Sequence, residues 1–97
     1  MLHIINSLPN SASFLNNARS GDTVIFTENA VLAAKQGYFD IESLTQKALD
    51  HINLYVRKAD LLIQDISISE LIRGVIVIDD MQYQSAITQN FAIKSYN

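Results

Sequence analysis

Gly74-Val75-Ile76-Val77-Ile78-Asp79-Asp80 carries four β-branched residues into two adjacent carboxylates. In an open α/β sheet, ligands bind beyond the carboxyl ends of the strands. Asp79 and Asp80 are therefore the first residues to test for chemistry. A carboxylate pair at that place could hold magnesium for phosphoryl transfer, as in a response-regulator receiver. That chemistry needs further acids from neighbouring strand ends, with phosphate oxygens completing the metal shell. The first strand instead runs into Asn6-Ser7, and the second offers only Glu28. The plainer expectation is a helix N-cap, in which one carboxylate accepts backbone N–H bonds at the positive end of the helix. The other aspartate is then solvated or faces a partner.

The remaining reactive residue types point the same way. His3 lies inside the first strand and reads as a hydrogen-bonded structural histidine. His51 precedes the third strand and is expected at the surface, and the two histidines form no metal-ligand spacing. Ser7, Ser11 and Ser13 stand near the mouth of the sheet, without a GxSxG elbow or a paired base. Neither GxGxxG nor GxxxxGK[ST] occurs, so the sequence signals of nucleotide binding are absent. The chain contains no cysteine, which removes disulfides, zinc–thiolate sites and thiol nucleophiles. No residue is expected to be catalytic, to bind a cofactor or to ligate a metal. Tyr83, with Ile87 and Phe91 at helical spacing, suits core or partner packing. Tyr96 would fray unless something held it, and is expected to dock in a groove of this chain or of a neighbouring subunit.

The elements that position these residues alternate along the chain. Strands are expected at residues 1–5, 23–26, 52–56 and 75–78, with a short edge strand over 92–96. Ile52, Leu54 and Val56 alternate on one face of the third strand. Val75 to Ile78 shows no polar alternation and reads as a central parallel strand covered on both faces. Helices are expected after Ser11 or Ser13, from Ala30 to Gln36 behind an Asn29 cap, within 38–50, over 59–64, and after Asp79 or Asp80. Gly21 suits a left-handed C-cap. Alternation on this scale predicts one small α/β domain over residues 1–97, with a mainly parallel sheet flanked by helices in a flavodoxin- or Rossmann-like three-layer arrangement.

Composition sets the outer bounds. Ninety-seven residues make one modest core. Hydrophobic residues are 48% and charged residues 18% of the chain, below the ~25% charge usual in soluble domains. So few charges leave apolar surface that favours burial against a partner. The net charge is −3 with no Lys/Arg cluster denser than Arg57-Lys58, which argues against independent nucleic-acid binding. The opening MLHIINSLPN lacks a basic stretch and a long apolar run, so no signal peptide is expected. No apolar run approaches the ~20 residues of a membrane span, and the expected compartment is the cytoplasm.

Taken in order, several short motifs resemble the TusB/DsrH family of DsrE-like sulfur-relay proteins. They are Met1-Leu2-His3 at the first strand, Ser20-Gly21-Asp22 before the second, and Glu28-Asn29-Ala30-Val31-Leu32-Ala33-Ala34 after it. Tyr55-Val56-Arg57-Lys58-Ala59-Asp60-Leu61 and Val75-Ile76-Val77-Ile78-Asp79 follow. Tyr96 departs from the pattern, standing where relatives often carry tryptophan. The resemblance implies a non-catalytic subunit of a cytoplasmic complex with TusC-like and TusD-like paralogues, a heterohexamer built as a dimer of heterotrimers. Such a complex takes persulfide sulfur from a TusA-like donor toward a TusE-like acceptor, for thiolation of the wobble uridine of tRNA. A chain without cysteine cannot hold the persulfide. Some DsrH members of sulfur-oxidising bacteria carry a cysteine in the N-terminal loop, where this chain has Ser7, Asn10, Ser11 and Ser13, and the resemblance thus favours the tRNA branch. Asp79, Asp80, Tyr83 and Tyr96 are assigned capping or partner-interface roles, and the isolated chain is allowed to self-associate. The alternatives are a stand-alone flavodoxin-like domain binding a small ligand near Asn6, Glu28 and Asp79, and a DsrH-like subunit of sulfur oxidation.

Overall fold

A computed structural model describes residues 1–7, 18–35, 51–71, 74–89 and 92–96. The strands are β1 (Leu2–Ile5), β2 (Thr23–Phe26), β3 (Asn53–Arg57), β4 (Val75–Ile78) and β5 (Ile93–Tyr96). All neighbouring strands pair in parallel, in the order β4-β3-β2-β1-β5. Two α-helices accompany them, α1 (Lys58–Ile63) and α2 (Asp80–Gln89), with 3₁₀ helices at Glu28–Ala34 and Ile68–Glu70. The expected helices after Ser11 or Ser13 and within 38–50 fall mainly or wholly outside the described residues, as does Phe91.

Register places the side chains. Ile4, Ile25, Tyr55 and Ile76 lie in one row across four strands. Their neighbours in sequence point to the opposite face, because side chains alternate along a strand. One face carries Ile5, Val24, Phe26, Leu54 and Val56 under the first 3₁₀ helix and Leu61 of α1. The other carries Leu2, Ile4, Ile25 and Ile78, packed with Tyr55 and with Tyr83, Ala86 and Ile87 of α2. The result is three layers, helix–sheet–helix.

Two elements differ from their sequence expectation. Among the described residues, Val75 to Ile78 is an edge strand, not a central one. Ile76 is 54% exposed, and only Ile78 of the four is buried. An unbroken β-branched run marks apolar surroundings, and here part of those surroundings is not supplied by the described residues. The segment after β2 is a 3₁₀ helix rather than an α-helix capped by Asn29. Its cap position is Thr27, which makes no side-chain capping bond; the Thr27 hydroxyl donates instead to the Ile5 carbonyl at 3.3 Å. Ala30, Val31, Ala33 and Ala34 are all buried. They form two rows spaced three residues apart, which is the period of a 3₁₀ helix.

The turn into β2 is closed by a bond from the Asp22 N–H to the Arg19 carbonyl at 2.9 Å. Gly21 occupies its third position at φ +92°, as a type II turn requires. A Cβ there would meet nothing within 4 Å, so the cost of a side chain is conformational alone. Gly21→Ala should lower the unfolding free energy by about 1 kcal/mol, read as a shifted urea midpoint at unchanged slope.

Candidate functional site

The carboxyl ends of β3 and β4 bring together most of the charged side chains of interest. Asp79 follows β4 and enters α2. Its Oδ1 accepts the Gln82 N–H at 2.8 Å, and its own N–H donates to Gln82 Oε1 at 2.9 Å. Two backbone donors that a helix start leaves open are thereby satisfied reciprocally. Asp80, the first residue of α2, accepts from Arg57 Nε at 2.9 Å. Arg57 ends β3, where its guanidinium also lies 5.0 Å from the Tyr83 ring centroid and 3.7 Å from the Asp60 carboxylate.

Arg57 is thus the hub of this end of the sheet, joining β3 to both following helices. The hydrogen bond to Asp80, with the nearby Asp60 carboxylate, holds its pKa above the ordinary value against the opposing effect of burial. Burial raises the Tyr83 hydroxyl above the usual phenol value, while Arg57 pulls it the other way. Asp60 Oδ2 is buried without a hydrogen-bond partner, facing the guanidinium at salt-bridge distance. These carboxylates are committed to a cation or a helix end. The arrangement fixes α2 against the sheet and presents no activated nucleophile.

Of the other ligand candidates, Asn6 lies beyond β1, where its N–H donates to the Tyr96 carbonyl at 3.2 Å. Glu28 is exposed beyond β2 at φ +52°. Among the described residues, no three His, Asp or Glu side chains converge as a metal-ligand set. A groove of about 630 Å³ lies elsewhere, between β4 and α2 on the second face. Tyr55, Ile76, Ile78, Met81 and Ala86 form its apolar lining, and Asp79, Gln82, Ser85 and Gln89 its polar lining.

The second constellation is buried. His3 is fully enclosed. Its Nδ1 lies 2.8 Å from the Tyr96 hydroxyl and its Nε2 lies 2.9 Å from Asp22 Oδ2. An ionised carboxylate only accepts, so Nε2 carries the proton toward Asp22, and in the neutral ring Nδ1 accepts from Tyr96. The Tyr96 and His3 rings stack with centroids 5.8 Å apart, and the Lys94 ammonium lies 5.4 Å from the Tyr96 centroid. Tyr96 is therefore held by this chain's own first strand. In the sequence His3 and Tyr96 stand far apart, and nothing local marks Asp22 as their partner. Only the pairing of β5 with β1 puts positions 93 residues apart side by side.

Asp22 collects the donors of this network. Partial burial disfavours its charge, but bonds from His3, the Arg19 N–H and the Met1 amino group hold its pKa down to about 2, from an ordinary 3.8. A folded-state pKa below the unfolded one adds stability above the unfolded value, and that stability is lost as pH falls through the folded one. Asp22→Asn should therefore cost about 2 kcal/mol at neutral pH. The difference from wild type should close as pH drops from about 4 to about 2, measured by chemical denaturation across that range.

Comparison with known proteins places these features. A family model described as DsrH-like protein matches residues 7–91. Among solved structures, the protein of unknown function MTH1491 from Methanobacterium thermoautotrophicum superposes with a TM-score of 0.74 at 12% identity, covering 97% of this chain and 95% of that one. The ychN protein from E. coli superposes with a TM-score of 0.73 at 13% identity, covering 98% and 97%. At these identities the two structures establish a shared fold. Comparison with curated protein sequences gives no match.

Proposed function

We propose a specific place for this chain, which belongs to the DsrH-like family of sulfur-relay proteins and has the DsrE-like fold. It is a non-catalytic subunit of a cytoplasmic TusBCD-like complex that passes persulfide sulfur toward thiolation of the tRNA wobble uridine. The observation that carries the reading is the absence of cysteine from a relay-family chain. In each relay step an acceptor thiolate attacks the outer sulfur of a donor persulfide. One S–S bond forms, one breaks, and the donor leaves as thiolate. A chain whose sulfur is confined to two methionines supplies neither nucleophile nor leaving group. Its contribution is then to hold cysteine-bearing paralogues in register, with a TusD-like subunit carrying sulfur between TusA-like donor and TusE-like acceptor.

The surface supports a subunit role. Ile76 and Met81 are 54% and 81% exposed beside the apolar groove of the second face, and large apolar patches are uncommon on monomers. Arg57, Asp80 and the Asp79–Gln82 pair fix α2 along that face, so the patch is a rigid one. No helix among the described residues is long and apolar enough to cross a membrane.

Coexpression with TusC-like and TusD-like proteins tests the reading. Light scattering coupled to size exclusion should show one discrete hetero-oligomer containing all three chains. Independent elution of this chain from both would contradict it.

A further inference from the structure

At the amino ends of β1, β2 and β5, a hollow of about 320 Å³ is bordered by Met1, Arg19, Asp22 and Lys94. Its charges do not balance. Asp22 is fully engaged: Oδ1 accepts the Met1 amino group at 3.0 Å, and Oδ2 accepts from His3 Nε2 at 2.9 Å and from the Arg19 N–H at 3.0 Å. The Arg19 guanidinium and the Lys94 ammonium have no carboxylate partner among the described residues. Lys94 instead stands over the Tyr96 ring. The backbone under both cations is fixed. Arg19 exchanges two hydrogen bonds with Asp22, and Lys94 is held opposite His3 by the pairing of β5 with β1. Two cations without counter-ions thus border one small hollow, in a chain whose net charge is −3.

From this imbalance we infer that the hollow binds a small tetrahedral oxyanion of the phosphate or sulfate class, held between Arg19 and Lys94. A guanidinium offers a planar fork of donors, and an ammonium offers a compact charge with three more. Together they suit an anion that spreads two negative charges over several oxygens. Asp22 does not compete for these cations, because its oxygens already accept three bonds and its charge is offset by the Met1 amino group. The volume lies at the lower end of the ~300–1,000 Å³ usual for ligand sites. That size fits a free oxyanion or a small phosphate monoester. The hollow stands at the opposite end of the sheet from Asp79 and Arg57, so the inference goes beyond the relay reading and does not depend on it. An ion bound there would adjoin the buried network, since Asp22 bonds His3 and Lys94 stands over Tyr96. The His3 and Tyr96 rings are therefore local reporters of occupancy.

Titration of the full-length chain with sodium phosphate, sodium sulfate and methyl phosphate, followed by nuclear magnetic resonance, tests this without a relay partner. Ionic strength is held constant with chloride, which removes general screening from the comparison. Saturable shifts should appear at Arg19, at Lys94 and at the His3 and Tyr96 rings. Arg19→Gln and Lys94→Gln should each weaken binding roughly tenfold, as loss of one charge-assisted bond predicts. The double variant should not bind. Lys58→Gln removes the same charge from an exposed lysine at the other end of β3, and should bind as wild type does. Arg19 and Lys94 are exposed, so their variants should keep the wild-type urea midpoint. If one unfolds, the position of the wild-type shifts still decides the matter. Tighter binding of methyl phosphate identifies an ester as the ligand, and tighter binding of phosphate identifies the free ion; either supports the inference. Shifts that grow linearly without saturating would overturn it. So would saturable shifts centred on other cations, variants that bind as wild type does, or acetate that binds as tightly as phosphate.

Discussion

The return of β5 to the far side of β1 is the constraint on which the rest of the structure depends. Strands β1 to β4 are laid down in one direction, and β5 reverses it. Right-handed crossovers then put the connector of the reversal on the face opposite to the others. Among the described residues, the 3₁₀ helix after β2 and α1 after β3 share one face, and α2 is the helix packed on the other. The larger buried cluster lies on the first face, while on the second Ile76 stays half exposed beside α2.

The reversal is fastened at both ends of the connection. Where α2 begins, Arg57 ties Asp80 to β3, and the Asp79–Gln82 pair closes the helix start. Where β5 ends, the Tyr96 hydroxyl reaches the buried His3, which Asp22 holds from its other nitrogen. A buried polar network of this kind is favourable only when its members are satisfied. Loss of the Asp22 charge would therefore be felt at β5, although Asp22 and β5 are not neighbours in sequence.

Much of this was legible in the amino-acid sequence, and the parts that were not share a cause. Local periodicity located all five strands, α1 and α2, because alternation in β3 and the stripe of Tyr83 and Ile87 report on a residue's immediate surroundings. Strand order is not local. Val75 to Ile78 has the composition of a central strand, yet among the described residues lies at an edge, because strand order is decided by which strands meet in space. His3, Asp22 and Tyr96 form one network only after β5 has paired with β1. The alanine-rich segment behind Asn29 satisfies the sequence rules for either helix type, and the backbone takes the tighter 3₁₀ form. At the candidate site, the position of Asp79 at a strand end was plain from sequence. The hub role of Arg57 was not, since it depends on β3 and α2 meeting in space.

Functionally, the chain combines a family built around sulfur transfer with no thiol of its own. Its carboxylates at the strand ends are bound to Arg57 or to a helix start, and its conspicuous free surface is apolar. In the proposed role, this chain enables transfer without carrying sulfur. The most direct test is to load a TusA-like donor with isotope-labelled persulfide and follow the label through a reconstituted complex, with and without this chain, by intact-protein mass spectrometry. Label should pass to a cysteine of the TusD-like subunit only efficiently when this chain is present, and should never appear on this chain. Undiminished transfer in its absence, or labelled sulfur attached to it, would contradict the account.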